Sequence, residues 1–385
     1  MTDPVAPGSV RFLDLAAIHR PLRTDLRAAH DRVVARGRYL FGPELDRFEA
    51  RWAGFCGTDH AVGVGSGLDA LILALRALEV GPGDEVVVPS NTFIATWLAV
   101  SAVGATPVPA EPAPATHLVT ADTMAERITS RTAALLPVHL YGRPGDGPAF
   151  EALAARHGLA LVFDAAQAHG ATVDDRPLGR FGHAQAWSFY PGKNLGALGD
   201  AGAVTTDDPA LAQRVRRLRN YGSDQRSSFV ERGLNSRLDE QQAANLCVAL
   251  DHLPAWTGRR REIAHRYRAG LADLTDVTDG GTPRLALPPV HAGHVWHLFV
   301  VEVEDRDSLQ EDLDHRGIET LVHYPVPPHR QGAYRDLGLG PGSLPEAERA
   351  AGRVLSLPIG PHLDDAAVDR VIAAVGEVRS GHPPP

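Results

Sequence analysis

The sequence predicts an α/β protein with a mixed, mostly parallel sheet and a smaller α+β domain at its C-terminal end. Short apolar segments alternate with segments of helical periodicity between about residues 33 and 248, which is typical of βαβ units around a covered sheet. After about residue 253 the alternation stops, and a long helical segment precedes a single strand. The chain has 385 residues, 44% of them hydrophobic, which is enough for two domains. We predict a large domain over residues 1–252 and a small domain over residues 253–385.

Each element follows from the spacing of its apolar residues. The predicted helices of the large domain cover residues 45–56, 68–78, 96–104, 147–158 and 209–222. The predicted strands, each with the turn that follows it, cover residues 60–67, 84–90, 132–142, 159–171 and 184–190. The small domain is predicted to contain a helix over 259–274, a strand over 294–303, a helix over 307–317, an extended stretch over 318–329 and a last helix near the C-terminus.

The composition excludes several classes of protein. The formal net charge of −9 argues against nucleic acid as the main partner. No apolar stretch reaches the roughly 18 residues that a membrane-spanning helix needs. The N-terminal MTDPVAPGSV lacks the basic and apolar regions of a signal peptide, and Cys56 and Cys247 form neither a C-x-x-C pair nor a disulfide framework. We therefore expect a cytoplasmic protein with two buried free thiols and a frayed C-terminal tail, GHPPP.

The segment GVGSGLDAL places a glycine loop between a strand and a helix. Such a loop exposes backbone N–H groups at the positive end of the helix dipole, where phosphate binds well. Gly65 and Gly67 allow a close approach, and Asp69 can cap the first turn; an ordinary tight turn is the alternative. A dinucleotide site is a weak rival, because it needs an acid at the end of the second strand. Asp84 and Glu85 lie instead at the start of that strand, so one phosphate group is favoured.

Two further groups follow predicted strands. Asp164 ends the apolar LVFD, and Lys193 follows AQAWSFY and a Pro-Gly turn. Ligands of open α/β sheets collect at the carboxyl ends of the strands. Taken singly, Asp164 is more simply read as a cap of the next turn and Lys193 as a solvated side chain. GALGDAGAV after the lysine, however, predicts a packed hairpin that would hold its amine.

Pyridoxal phosphate binds through three groups: a phosphate site, an acid that contacts its flat ring and a lysine fixed in position. The acid keeps the pyridine nitrogen protonated, and the lysine condenses with the aldehyde. Phe93 follows another strand and could stack on the ring, although a core position is an equal alternative.

The sequence resembles the DegT/DnrJ/EryC1/StrS family of sugar aminotransferases, which have the aspartate aminotransferase-like fold (fold type I of the pyridoxal-phosphate enzymes). The resemblance runs from RFLDL to LSLPIG. The segments SFYPGKNLGALGD, LRNYGS and VPPHRQ resemble most the members that aminate C3 of a nucleotide-linked 3-keto-6-deoxyhexose. Members that act at C4 more often carry histidine where Tyr190 stands.

The resemblance implies a role for each matching position. Lys193 matches the lysine that binds the cofactor covalently and later moves a proton. The other positions implied for the cofactor are Asp164 at the ring nitrogen, Gln167 at the ring oxygen, Phe93 on the ring, and Ser188 with the backbone of Gly67 and Leu68 at the phosphate. Asn235 matches an asparagine that reaches the phosphate site of a neighbouring subunit, which implies a homodimer with shared sites. Tyr190, Tyr221, His323 and His329 lie in segments that face the sugar nucleotide in relatives.

Two positions depart from the family pattern. Leu68 stands where many relatives carry a threonine, so only its backbone can contact the phosphate, and Ala201 replaces a glycine.

The resemblance implies L-glutamate as amino donor and a sugar nucleotide as acceptor. Rival functions are amination at C4, amination of a cyclitol ketone, and a non-catalytic regulatory relative. The family's dehydratase has histidine in place of the lysine, so Lys193 speaks against it. A nicotinamide oxidoreductase is the weakest alternative.

Two further clusters of histidine or arginine residues can be explained without a functional site. His291, His294 and His297 share a three-residue spacing, but on a strand they fall on opposite faces, which favours structural histidines over a metal site. The helix with Arg214, Arg216, Arg217 and Arg219 presents either a diphosphate site or a solvated face.

Overall fold

A computed structural model describes residues 9–225, 228–275 and 285–379. Residues 1–8 and the tail predicted to fray, residues 381–385, lie outside the described residues. The α-helices are α1 Leu15–His19, α2 Arg23–Arg36, α3 Pro43–Cys56, α4 Gly67–Ala77, α5 Ala95–Ala102, α6 Ala121–Ala125, α7 Gly147–His157, α8 Pro209–Leu218, α9 Glu240–Leu250, α10 Leu253–Gly270, α11 Arg306–His315, α12 Pro345–Arg353 and α13 Asp365–Arg379.

The strands are β1 His60–Val64, β2 Glu85–Pro89, β3 Thr106–Ala110, β4 Thr132–Leu135, β5 Ala160–Asp164, β6 Thr172–Val173, β7 Arg176–Pro177, β8 Ala184–Ser188, β9 Gly202–Thr206, β10 Ser223–Gln225, β11 Ser228–Phe229, β12 Phe299–Glu302 and β13 Val354–Leu357. Seven of them form the central sheet in the order β1-β9-β8-β5-β4-β2-β3. Strands β3, β2, β4, β5 and β8 are parallel, and β9 runs antiparallel to both β8 and β1. The predicted mixed, mostly parallel sheet is confirmed.

The sheet is covered on both faces because its strands alternate apolar side chains between two cores. Val86 and Val88 of β2 belong to the core that contains α4 and α5, whereas Val87 between them belongs to the core that contains α3 and α7. Burial on both faces explains why the parallel strands are continuous apolar runs. Because β2, β5 and β8 are parallel, their last residues meet at one edge of the sheet.

A third core packs α10, α11 and α13 around the antiparallel pair β12–β13. Tyr267 and Phe299 lie at its centre, with their ring centroids 5.1 Å apart. Val10 also packs there and forms a parallel bridge with Ile318, so an N-terminal segment contributes to this core. The division of the chain at residue 252 stays a prediction.

Two polar contacts fix the C-terminal part against the carboxyl edge of the sheet. The Glu111 carboxylate, just after β3, accepts hydrogen bonds from the backbone N–H groups of Glu346 and Ala347 at 2.5 and 3.2 Å. It therefore stabilises the first turn of α12, whose N–H groups have no partner within the helix. The Tyr141 hydroxyl donates to the carbonyl oxygen of His323 at 2.5 Å.

The predicted strand over residues 294–303 was wrong in its first half. His294 closes a turn, because its N–H donates to the carbonyl of His291 and its Nδ1 accepts from the N–H of Trp296. The regular strand therefore begins only at Phe299. Helix α2 and strand β3 were not predicted; β3 was missed because Pro107 and Pro109 break the usual strand pattern.

In the described ranges, no helix is long and apolar enough to cross a membrane. The predicted cytoplasmic location stays a prediction. Cys56 and Cys247 are free and buried, as predicted.

Candidate active site

The glycine loop after β1 forms the N-terminus of α4 against the end of β8. Ser66 is the N-cap: its hydroxyl accepts from the N–H of Asp69 at 3.1 Å, and its carbonyl accepts from Ala70. The prediction that Asp69 caps this turn was therefore wrong. A Cβ built on Gly67 would lie 2.5 Å from the Cβ of Ser188, so only glycine allows this close approach. The approach brings the helix N-terminus and the Ser188 hydroxyl together as one anion site.

Asp164 ends β5 with a buried carboxylate. Its two oxygens accept one hydrogen bond each, from the N–H of Ala166 at 3.1 Å and from the hydroxyl of Thr96 at 2.9 Å. Burial raises the pKa of Asp164, and these two bonds and the nearby charge of Lys193 oppose the rise. A buried carboxyl group whose pKa is raised is stabilised in its charged form by a cationic partner, and a protonated ring nitrogen is such a partner.

Lys193 lies in the tight connection between β8 and β9. Its backbone N–H donates to the carbonyl of Tyr190 at 2.8 Å, and the N–H of Ala197 donates back to Phe189 at 2.8 Å. The predicted packed hairpin is therefore present. Burial lowers the pKa of the Lys193 amine to about 8, although the Asp164 charge acts in the opposite direction. A larger share of the amine is therefore neutral near pH 7 than for an exposed lysine, and the neutral amine is the nucleophile.

Gln167 lies on the turn after Asp164 and connects two tyrosines. Its Oε1 accepts from the N–H of Tyr141 at 2.6 Å, and its Nε2 donates to the Tyr324 hydroxyl at 3.0 Å. The ring of Phe93, which is half exposed, lies 5.5 Å from the Tyr324 ring. The exposed Phe93 ring excludes the alternative of a core position. Contact of Phe93 and Gln167 with a cofactor ring stays a prediction.

Two residues that the sequence reasoning missed hold the predicted ones in place. His169 is fully buried, and its Nε2 bonds the carbonyl oxygen of Ser188 at 2.8 Å. Burial lowers the pKa of His169 to about 3, so the ring is neutral and its Nε2–H donates this bond. Thr96 orients Asp164. Both lie in the motifs DAAQAHGA and PSNTFIAT, but their partners are distant in sequence, so spacing alone gave no signal.

The predicted sugar-facing residues fall into two groups. Tyr190 and Tyr221 are exposed. Asn235, which is predicted to reach the phosphate site of a neighbouring subunit instead, is also exposed. His323 is partly buried and bonds the Ser356 hydroxyl at 2.8 Å, and burial together with the Lys193 charge lowers its pKa to about 4. His329 is buried and bonds the Glu348 carboxylate at 3.0 Å. Their roles toward a sugar nucleotide stay predictions.

The remaining clusters have structural partners. His297 bonds Asn194, the residue after the lysine, at 3.1 Å, and His294 stacks on Trp296 at 3.8 Å. No group of three or more metal-ligating side chains could hold a metal ion in the part of the chain that the structure describes. Arg219 is buried and paired with Glu49 rather than solvated.

The residues present fit one pyridoxal phosphate. The evidence of fit is the cradle at Gly67, which a single Cβ would fill, opposite a buried carboxylate without a cationic hydrogen-bond partner among the described residues. An amine with a lowered pKa lies near that carboxylate. These are an anion site, a site for a cationic ring nitrogen and a nucleophile, all at one edge of the sheet.

Comparison with known proteins agrees with this set of groups. Residues 22–376 match the DegT/DnrJ/EryC1/StrS aminotransferase family. The dTDP-3-amino-3,4,6-trideoxy-alpha-D-glucose transaminase of Streptomyces venezuelae is 56% identical over 370 residues, covering 96% of each chain. The erythromycin biosynthesis sensory transduction protein EryC1 of Saccharopolyspora erythraea is 55% identical over 368 residues, 95% of this chain and 98% of that one. The crystal structure of S. venezuelae DesV in complex with a ketimine intermediate superimposes with a TM-score of 0.93, at 55% identity, over 96% of this chain and 98% of that chain.

Proposed function

This chain belongs to the DegT/DnrJ/EryC1/StrS aminotransferase family and is a pyridoxal-phosphate-dependent aminotransferase, and we propose that its acceptor is a dTDP-linked 3-keto-6-deoxyhexose aminated at C3. The amino donor in this proposal is L-glutamate. The observation that carries the proposal is the convergence of Lys193, Asp164 and the Gly67–Ser188 anion site at one edge of the sheet.

The choice of acceptor rests on the relatives and on one residue. The S. venezuelae relative is named for a dTDP sugar that carries its amine at C3. Tyr190 stands, exposed, three residues before the lysine, where members acting at C4 more often carry histidine. A non-catalytic regulatory role, which the name of the EryC1 relative suggests, is not favoured, because Lys193, Asp164, Gln167 and Ser188 are retained.

Each group of the site has a defined task in the proposed reaction. The cofactor, when bound, supplies an aldehyde that exchanges with amines and a ring that withdraws electrons from the reacting carbon. The N–H groups of Gly67 and Leu68 and the Ser188 hydroxyl bind its phosphate. Asp164 keeps the ring nitrogen protonated, and Thr96 and Ala166 orient that carboxylate.

The Lys193 amine moves the proton between donor, cofactor and acceptor carbons. Its lowered pKa of about 8 suits this task, because both its neutral and its protonated forms are accessible near neutral pH. The amino acid and the sugar nucleotide use the same lysine in turn, which predicts ping-pong kinetics.

The proposal includes a homodimer with shared active sites. Asn235 is exposed, and Tyr221, Phe229 and Val230 near it are exposed apolar side chains. Such a cluster on a protein surface is typical of an interface. In the proposed dimer, Asn235 of each subunit completes the phosphate site of the other.

We expect Asn235→Ala to lower cofactor affinity by about tenfold, which is the loss of one charge-assisted hydrogen bond. Mixed dimers test the sharing. A dimer of one Asn235→Ala subunit and one Lys193→Ala subunit contains one site with both groups intact if the sites are shared. We expect it to recover about half of the wild-type activity at limiting cofactor. Absence of recovery contradicts a shared site.

The acceptor is tested by incubating the enzyme with L-glutamate and a panel of keto-sugar nucleotides, followed by NMR of the product. We expect an amine at C3 of the dTDP-linked 3-keto-6-deoxyhexose. A product aminated only at C4, or turnover only of a cyclitol ketone, would contradict the proposal and support the corresponding alternative. No product with any acceptor, in cofactor-loaded enzyme, would support a regulatory role.

A further inference from the structure

We propose that Ser236 is a positioning residue that couples the two phosphate sites of the dimer. In this inference Ser236 fixes the phosphate loop of its own subunit and, through the adjoining peptide bond, holds Asn235 in the orientation that serves the partner's site. The inference rests on the proposed shared site and concerns a residue outside the set that contacts the cofactor.

The Ser236 side chain is bonded to both ends of the phosphate loop. Its hydroxyl accepts from the N–H of Gly65 at 3.0 Å and donates to the Asp69 carboxylate at 2.7 Å. Gly67 and Leu68, which supply the phosphate-binding N–H groups, lie between these two points. Ser236 is 2% exposed, so water does not compete for these bonds.

The side chains of Asp69 and Ser236 lie close to the loop at Gly65. A Cβ on Gly65 would lie 2.9 Å from the Asp69 carboxylate and 3.3 Å from the Ser236 hydroxyl oxygen. The serine and aspartate side chains therefore occupy the space directly beside the loop, and a shift of the loop requires a shift of Ser236.

The backbone of Ser236 is held as firmly as its side chain. Its N–H donates to the carbonyl of Arg219 at 3.0 Å. The Arg219 guanidinium donates to the carbonyl of Gly63 at 2.7 Å and to Glu49 at 2.5 Å, and Glu49 accepts from the N–H of Gly63 at 2.8 Å. Strand β1 and the segment that carries Ser236 are thus joined at Gly63 and at Gly65.

Asn235 is the exposed end of this otherwise buried connection. It forms a bridge with Asn220, and Leu234 before it donates to the carbonyl of Leu218 at 2.7 Å. Its position is therefore set by the same segment that sets the loop. Ser236 therefore fixes both the phosphate loop of its own subunit and the Asn235 that addresses the other subunit.

The test uses mixed dimers in which only one site can be observed. Lys193 is the single lysine of the sequence, so a Lys193→Ala subunit cannot bind pyridoxal phosphate covalently through a side-chain amine. In a dimer with one such subunit, the visible absorbance of lysine-bound cofactor reports only the site of the other, reporter subunit. The measured quantity is the rate at which that absorbance is lost when free cofactor is removed.

Four mixed dimers separate the possible roles. We expect Ser236→Ala to speed cofactor loss about tenfold when it is placed in the reporter subunit and also when it is placed in the Lys193→Ala subunit. Asn235→Ala in the Lys193→Ala subunit is the control for sharing and should have a similar effect. Ser130→Ala, in an exposed turn before β4, is the matched serine control and should have no effect.

The outcomes distinguish failure of the inference from failure of the proposed dimer. If Ser236→Ala acts only in the reporter subunit, or only in its partner, while Asn235→Ala acts from the partner, the coupling is wrong and the shared site stands. If neither variant acts from the partner subunit, the shared site is wrong and the coupling is wrong with it.

Asp69→Ala removes the acceptor of the Ser236 hydroxyl and should reproduce the effect from the partner subunit. It provides the same test should the serine variant fail to fold.

Discussion

Replacing Lys193 with alanine is expected to lower turnover by at least about 10⁴-fold, because it removes both the covalent attachment point and the proton carrier. The sequence contains no second lysine to substitute for it. The cofactor should still bind through the Gly67–Ser188 anion site and Asp164, and it should be recovered from the gel-filtered protein. Steady-state turnover and the amount of retained cofactor are the two measurements.

A matched variant separates chemistry from charge. Lys193→Arg keeps a cation beside Asp164 but has no nucleophilic amine at accessible pH. We expect it to be as inactive as Lys193→Ala. Borohydride reduction of the loaded wild-type enzyme followed by peptide mapping should place the label at residue 193 and nowhere else. Normal turnover by either variant, or a label at another position, would refute the assigned role.

The second large effect is expected for Asp164→Ala. Without the carboxylate the ring nitrogen of the cofactor loses its proton, and the ring withdraws electrons less strongly. We expect kcat to fall roughly 10²- to 10³-fold, the size of the loss when one preorganised electrostatic contact is removed. Thr96→Val is the matched control: it keeps the carboxylate but removes the 2.9 Å hydrogen bond that orients it, so its loss should be smaller.

The absorbance spectrum provides a second measurement for Asp164→Ala. Lysine-bound cofactor should still form, because Lys193 is intact, but its visible band should change with pH in a different range from that of the wild type. If kcat of Asp164→Ala is within threefold of the wild-type value, the carboxylate does not have the role assigned to it.

The groups at the centre of the site were predictable because each of them ends a strand or follows one closely. Asp164 is the last residue of β5, Ser188 is the last residue of β8, and Lys193 follows in the next turn. Parallel strands bring their carboxyl ends to one edge, so Asp164 could be placed near Ser188 and Lys193, which follow from another strand, without knowledge of the packing. The predicted family is confirmed by the match over residues 22–376.

The supporting contacts were not predictable in the same way. The prediction that Asp69 caps the helix was wrong because Ser66 lies one residue before the helix and takes the capping position. The Asp69 carboxylate instead accepts from Ser236, 167 residues away. His169 bonds a carbonyl of another strand, and a backbone acceptor carries no signal in the sequence. His329 bonds Glu348 of α12, and the spacing of the two residues in the sequence does not indicate this contact.

The two outermost strands of the central sheet share a property with consequences for solubility. On β1 the outward N–H of Gly63 donates to Glu49 and its carbonyl accepts from Arg219, and just beyond the strand the N–H of Gly65 donates to Ser236. At the opposite side β3 contains Pro107 and Pro109, which have no N–H to offer. Both borders therefore interrupt the ladder on which an incoming β-strand would pair, the contact from which amyloid-like polymers grow. We therefore expect these features to disfavour edge-to-edge aggregation of copies of this protein.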